Sequence, residues 1–133
     1  MRFVADVAQI RHARTWVVAQ AAHAGAPADV QRVVGLLTSE VVTNAVRHGP
    51  AGGLVDVQVG VLDDRVRVSV RDDSPRRPVR VEPGPLELSG RGVLLVDRLA
   101  AAWDVQPHSG GKTVWFEVPL RSRPSPDRGR DRS

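Results

Sequence analysis

Glu40-Val41-Val42-Thr43-Asn44-Ala45-Val46-Arg47-His48 closes a helical pattern that opens near Ala28, and it sets a carboxylate and a carboxamide four residues apart. In an α-helix, residues i and i+4 stand one above the other, so Glu40 and Asn44 share a face. The apolar stripe of the same helix is Val30, Val33/Val34, Leu37, Val41 and Ala45. At roughly 100° per residue the polar pair falls on the rim of that stripe, a boundary between core and cleft. Glu40 there can bind or activate something whose metal or phosphate Asn44 also reaches. Taken alone, the stretch is more commonly the surface of an ordinary core helix, so the rest of the chain has to decide.

Outward from this helix the pattern is legible on both sides. Val7, Ile10, Ala13, Val17/Val18 and Ala21 recur at three- and four-residue steps, predicting a helix over about 6–24 that Gly25-Ala26-Pro27 breaks. Arg2-Phe3-Val4 reads as a short edge strand. After the 49–53 loop, Val55/Val57/Val59/Val61 and Val66/Val68/Val70 alternate with polar residues around Asp63-Asp64, an antiparallel hairpin over 54–61 and 65–70. Residues 72–89 carry four prolines and no periodicity, a long loop of the kind that often serves as a lid. Gly90-Arg91-Gly92 opens a third helix over about 93–102, and strands at 103–105 and 113–120 flank a turn at 108–112. Helices and strands are segregated in this order. That favours an α+β, two-layer sandwich: a mixed, mostly antiparallel sheet covered on one face by three helices.

Composition narrows the function classes. The 133 residues suit one domain, expected at 1–120, with an Arg/Pro-rich tail at 121–133 expected to be disordered. Without cysteine there are no disulfides and no thiolate metal sites, which suits a reducing compartment. No apolar run reaches the ~20 residues of a membrane span and no signal peptide opens the chain, so the expected location is the cytoplasm. The net charge of +4 is mostly the tail, where five arginines face two aspartates. The remaining body has no basic stripe with interleaved aromatics, so no direct nucleic-acid role is expected.

Three further segments carry chemistry. Asp72, at the end of a central strand, can accept a hydrogen bond from an exocyclic amine, although Asp after a strand is commonly a turn former. Ser89-Gly90-Arg91-Gly92 leads into a helix, whose unpaired N–H groups and dipole suit phosphate. It lacks both the dinucleotide fingerprint and the P-loop lysine. Gly110-Gly111-Lys112-Thr113 opens the last strand and is equally a plain hairpin turn.

In combination these segments resemble one family. Ser39–Gly49 is similar to its N box, Asp72-Asp73-Ser74-Pro75 to the G1 box, Gly90-Arg91-Gly92-Val93-Leu94-Leu95-Val96 to the G2 box, and Gly111-Lys112-Thr113-Val114-Trp115-Phe116 to the last box. The chain is identified as resembling the GHKL (histidine-kinase-like) ATPase domain over roughly 3–119. Within it, the chain looks most like the stand-alone anti-sigma-factor, serine-protein-kinase branch of high-GC bacteria, with which the eighteen Arg and one Lys agree.

The resemblance implies ATP and Mg²⁺ as cofactors, with Asn44 ligating the ion and Glu40 the general base toward a serine/threonine hydroxyl or water. It implies Asp72 on the adenine amine, with Ser74 in the same box, Gly90, Arg91, Gly92 and Val93 around the phosphates, and Thr113 near Asp72. Arg47 and His48 would line the cleft, and Arg14 would face protein partners. The implied partners are a sigma factor and a STAS-type anti-anti-sigma protein, with a homodimer common among members. A sensor kinase would carry a dimerisation-and-phosphoacceptor helix pair that these residues lack, so serine rather than histidine is the expected acceptor. Two departures stand out: the G1 box has neither of its usual glycines, and Leu88 stands where some kinase members place an arginine on the terminal phosphate. They motivate an alternative, a nucleotide-binding interaction module with little kinase activity.

Overall fold

Two valine-rich hairpins and three helices pack as one sandwich. The computed structural model describes residues 1–49, 52–73 and 90–120, with backbone alone at 90–94; residues 74–89 of the loop expected at 72–89, and the tail at 121–133, lie outside the described residues. The elements are β1 (Arg2–Val4), α1 (Ala8–His23), α2 (Ala28–His48), β2 (Leu54–Leu62), β3 (Arg65–Asp73), α3 (Gly90–Leu99), β4 (Ala102–His108) and β5 (Gly111–Pro119).

Helix ends follow from local chemistry. The Asp6 carboxylate accepts from the Ala8 N–H at 2.9 Å, satisfying one orphan donor of the first turn of α1. At its other end Ala26 N–H donates to Ala21 and Gly25 N–H to Ala22, the paired bonds of a Schellman stop. Gly25 adopts φ +98° with open space where a Cβ would go, so its replacement meets no clash, only backbone strain. Gly25→Ala is expected to lower stability by about 1–2 kcal/mol in urea denaturation, with an unchanged m-value. Pro27 precedes α2 in an extended conformation, and Gly49 ends it. A Cβ on Gly49 would lie 2.8 Å from the Ala45 carbonyl oxygen, so the residue after His48 has to be glycine unless the turn shifts.

The sheet order is β1-β2-β3-β5-β4, and every described pair is antiparallel, which corrects the expectation of a mixed sheet. Asp63 and Asp64 both take positive φ, giving the β2–β3 hairpin the left-handed two-residue turn that matches strand twist. β3 and β4 run the same way with β5 between them, so α3 is the crossover that bridges them.

One face of the sheet is apolar and carries the helices. Val55, Val57, Val66, Val68, Val70, Val114, Phe116 and Val118 are buried there with Val34, Leu37, Val41 and Val42 of α2. The opposite face is polar. On it Glu117 accepts from Arg65 at 2.8 Å and lies 3.7 Å from Arg67, whose guanidinium sits 3.9 Å above the Trp115 ring. No helix among the described residues is long and apolar enough to cross a membrane.

Several boundaries differ from the sequence expectation, and β3 runs on to Asp73 where a strand over 65–70 was expected. α3 starts at Gly90, not Val93, so both glycines belong to its first turn; it ends at Leu99, and Ala102 opens β4. β4 also runs on to His108 through Pro107, which an edge strand tolerates because one side of its backbone has no partner strand.

Candidate functional site

The chain leaves α2 and enters β2 within a short link, and β2 begins against the end of β3, with Val55 opposite Asp72. That connectivity brings the last turns of α2 and the C-terminal end of β3 to one end of the sandwich. Asn44 is buried on α2 at 6% exposure, between Val41 and Ala45 of the core stripe; Glu40, one turn earlier, is half-buried. The carboxamide thus lies deeper than the rim position expected for it, with the carboxylate nearer solvent. Arg47 and His48 are exposed in the last helical turn, where their positive character also suits the negative end of the helix dipole.

Asp72 is the penultimate residue of β3, points to the helix-covered face and is 4% exposed. Its neighbour across the ladder is Lys112 of β5. The Lys112 ammonium donates to Asp72 Oδ2 at 2.6 Å, with the two side chains 16% and 6% exposed. Burying a carboxylate is costly unless it is paired, and this bond supplies a partner.

Thr113 does not meet Asp72. It pairs with Arg71 in the ladder, and successive strand residues point to opposite faces, so its hydroxyl lies on the polar face. There it is 2.9 Å from His108 Nε2 and lines a shallow groove with Arg2, Asp56, Ser69, Arg71 and Asp73. The residue that reaches Asp72 from the last box is Lys112, which the sequence reading quoted without assigning a role. Strand parity carried the signal: Val114 and Phe116 face the helices, so Lys112 does too and Thr113 cannot.

Gly90, Arg91, Gly92 and Val93 form the first turn of α3, whose backbone N–H groups have no partner within the helix. Ser74 and Leu88 lie outside the described residues. Arg14 is exposed on α1, on the far side of the helical layer from the sheet, where it lines a groove with Val18, Val33, Gly35 and Leu36. Gly35 permits the close approach of the two helices: a Cβ there would be 3.0 Å from Val18 Cγ2. No cluster of three or more His, Asp or Glu residues suited to a metal exists among the described residues.

Comparison with known proteins gives a consistent picture. Residues 3–118 match the family model of the histidine kinase-like ATPase domain. Blue-light-activated histidine kinase 2 of Erythrobacter litoralis is 34% identical over 100 residues, covering 71% of this chain and 29% of that protein. A solved structure of a blue-light-activated histidine kinase from the same organism superposes with a TM-score of 0.57 at 33% identity, over 71% of this chain and 32% of the other. A structure of the RsbU and RsbW domains of a Mycobacterium tuberculosis protein gives a TM-score of 0.67 at 24% identity, covering 94% of this chain and 33% of that one; at that identity the likeness speaks for the fold. The chain spans about a third of the length of each of these proteins. With the segregated helices, the antiparallel sheet and the family match over nearly the whole chain, the protein belongs to the histidine kinase-like ATPase domain family.

Proposed function

We infer that this protein binds Mg²⁺·ATP and acts as an anti-sigma factor that phosphorylates a serine or threonine on a STAS-type antagonist, within the cytoplasm. The observation that carries the reading is Glu40 and Asn44 at one end of the sandwich, the carboxamide buried and the carboxylate half-exposed one turn away. The residues fit the cofactor. A buried carboxamide oxygen is a hard ligand suited to Mg²⁺, an ion that usually takes few protein ligands and completes its shell with phosphates and water. Asp72 is a buried acceptor suited to an exocyclic amine, and the first turn of α3 offers N–H donors to phosphate.

Bound Mg²⁺·ATP would supply the transferable γ-phosphoryl group and the charge neutralisation that phosphoryl transfer needs. Asn44 would hold the ion, and Glu40 would take the proton from the incoming hydroxyl. Arg47, His48, Ser74 and Val93 complete the proposed lining. Arg14, exposed on the outer helical groove, is the proposed contact for the sigma factor and the antagonist, and a homodimer is proposed as well.

Glu40→Gln keeps the size of the side chain and removes the base. It is expected to cut phosphate transfer from radiolabelled ATP to a STAS-domain protein by about 10²–10⁴-fold. ATP affinity by calorimetry should stay within a few fold. Transfer at the wild-type rate would remove Glu40 from catalysis. Transfer by neither protein, with ATP still bound, would favour the second reading, a nucleotide-responsive interaction module, which the missing G1 glycines in Asp72-Asp73-Ser74-Pro75-Arg76 motivate.

A further inference from the structure

The outer edge of β2 is paired along only part of its length. Val57 N–H donates to the Met1 carbonyl at 2.7 Å, the Met1 amine donates to the Val57 carbonyl at 2.8 Å, and Ala5 N–H donates to the Gly53 carbonyl at 2.8 Å. In an antiparallel ladder a strand turns its bonding groups to a given neighbour at every second residue. Val59 and Val61 therefore aim their N–H and C=O groups to the same side as Val57. There β1 pairs with 54–56, and no strand among the described residues continues it. Their side chains extend the helix-facing row of Val55 and Val57, yet Val61 is 53% exposed, so the helical layer leaves that end of the strand open. Gly60 and Leu62 lie on the polar face. A Cβ on Gly60 would meet nothing within 4 Å, and Leu62 is 48% exposed.

The opposite edge of the sheet is guarded and this one is not. β4 carries Pro107, which has no N–H to offer, and the Asp104 carboxylate accepts from the Val105 N–H at 2.8 Å. Unpaired edges invite another strand, and proteins blunt them with proline, charge or bulges. Residues 58–62 contain neither proline nor charge, and their register with β3 is unbroken.

We propose that this edge joins two copies of the chain, β2 against β2, antiparallel about a twofold axis at Gly60. Gly60 then faces its counterpart, and Val59 of each copy faces Val61 of the other. Each Val59–Val61 couple exchanges two N–H···O=C bonds, which satisfies every outward group of both residues in both copies. Val61 covers Val59 of the other copy on the helix-facing side, and the bare Gly60 lets the strands close on the polar side. A second copy suits this edge because Val-Gly-Val reads the same in both directions, as a twofold pairing requires. Charge agrees: Asp63 and Asp64 follow Leu62 and come beside the start of the other copy's β1, which carries Arg2. The pairing gives the homodimer proposed above a surface and does not depend on nucleotide.

The chain has no cysteine, so introduced ones report the register directly. At a non-hydrogen-bonded pair opposed Cα atoms are about 4.5 Å apart, within the roughly 4.4–6.8 Å that a disulfide spans. Gly60→Cys should therefore crosslink two copies under mild oxidation. Gln58→Cys and Leu62→Cys should each stay uncrosslinked alone and crosslink when mixed, since 58 faces 62 across the axis. In sedimentation equilibrium the unaltered chain should show dimer at about 100 µM, and Val61→Glu should weaken association by about tenfold or more. The urea midpoint of Val61→Glu at low protein concentration separates lost pairing from lost fold; if that variant does not fold, the cysteine series decides. An unaltered chain that is still monomeric at about 1 mM would overturn the proposal. So would a dimer that survives Val61→Glu, or one in which Gly60→Cys does not crosslink, because it must use another surface or register. ATP binding and phosphate transfer do not enter these readouts, so failure here leaves the proposed function standing.

Discussion

Asn44→Ala is expected to abolish the Mg²⁺-dependent part of ATP binding, lowering affinity by at least about a hundredfold, roughly 2.8 kcal/mol. Asn44 is 6% exposed and sits in the core-facing half of α2, so its surroundings restrict where the carboxamide can point. Alanine removes the ligand and also leaves a small gap, so a loss of affinity alone would not separate metal binding from packing. The discriminating readout is the difference between titrations with Mg²⁺ and with chelator. Wild type should show a large difference and Asn44→Ala almost none, while the two proteins bind similarly in chelator. Asn44→Asp, which restores an oxygen ligand, should recover most of the Mg²⁺ effect. An Asn44→Ala protein that melts like wild type and still binds ATP tenfold or more tightly with Mg²⁺ than without would end the assignment.

The site was legible where its residues lie on a periodic element and illegible where a face had to be chosen. Glu40 and Asn44 could be paired from their spacing because helical periodicity fixes which residues share a face. The bounds of α2 followed from Pro27 and Gly49, each of which has a physical reason to stand at a helix end. Lys112 is not marked by its place beside the Gly110-Gly111 turn; the deciding fact is parity counted back from Phe116. The start of α3 was misplaced because glycine weakens a helix interior; in the first turn the N–H groups are unpaired anyway. Residues 72–89 offer neither period, and four prolines there leave no repeating pattern from which a face or a register could be inferred. Arg65, Arg67, Trp115 and Glu117 form a cross-strand group on the polar face that only the β3–β5 register brings together.

Phe116→Ala is the substitution expected to cost the fold most, about 3–5 kcal/mol of unfolding free energy. β5 is an interior strand, paired on one side with β3 and on the other with β4, and Phe116 faces Val68 and Trp103 across the two ladders. It is fully buried and is the largest fully buried side chain of a core otherwise built mainly from valine and alanine. Valine is short and branched at Cβ, so the neighbours have little reach with which to fill the space that a phenyl ring leaves. Most domains have only about 5–15 kcal/mol in hand, so the variant should unfold at a much lower urea concentration. The comparator is Trp115→Ala, one residue away on the polar face, where the ring is half-buried under Arg67. Its loss removes a cation–π contact of about 0.5–1 kcal/mol and some partly covered area, and the remaining gap can be met by water. The larger indole should therefore matter less than the smaller phenyl ring. Equal midpoints for the two variants would contradict the assignment of the helix-facing side as the load-carrying core. The reverse order would place the core on the other side of the sheet, and with it the buried positions of Asn44 and Asp72 on which the proposed site depends.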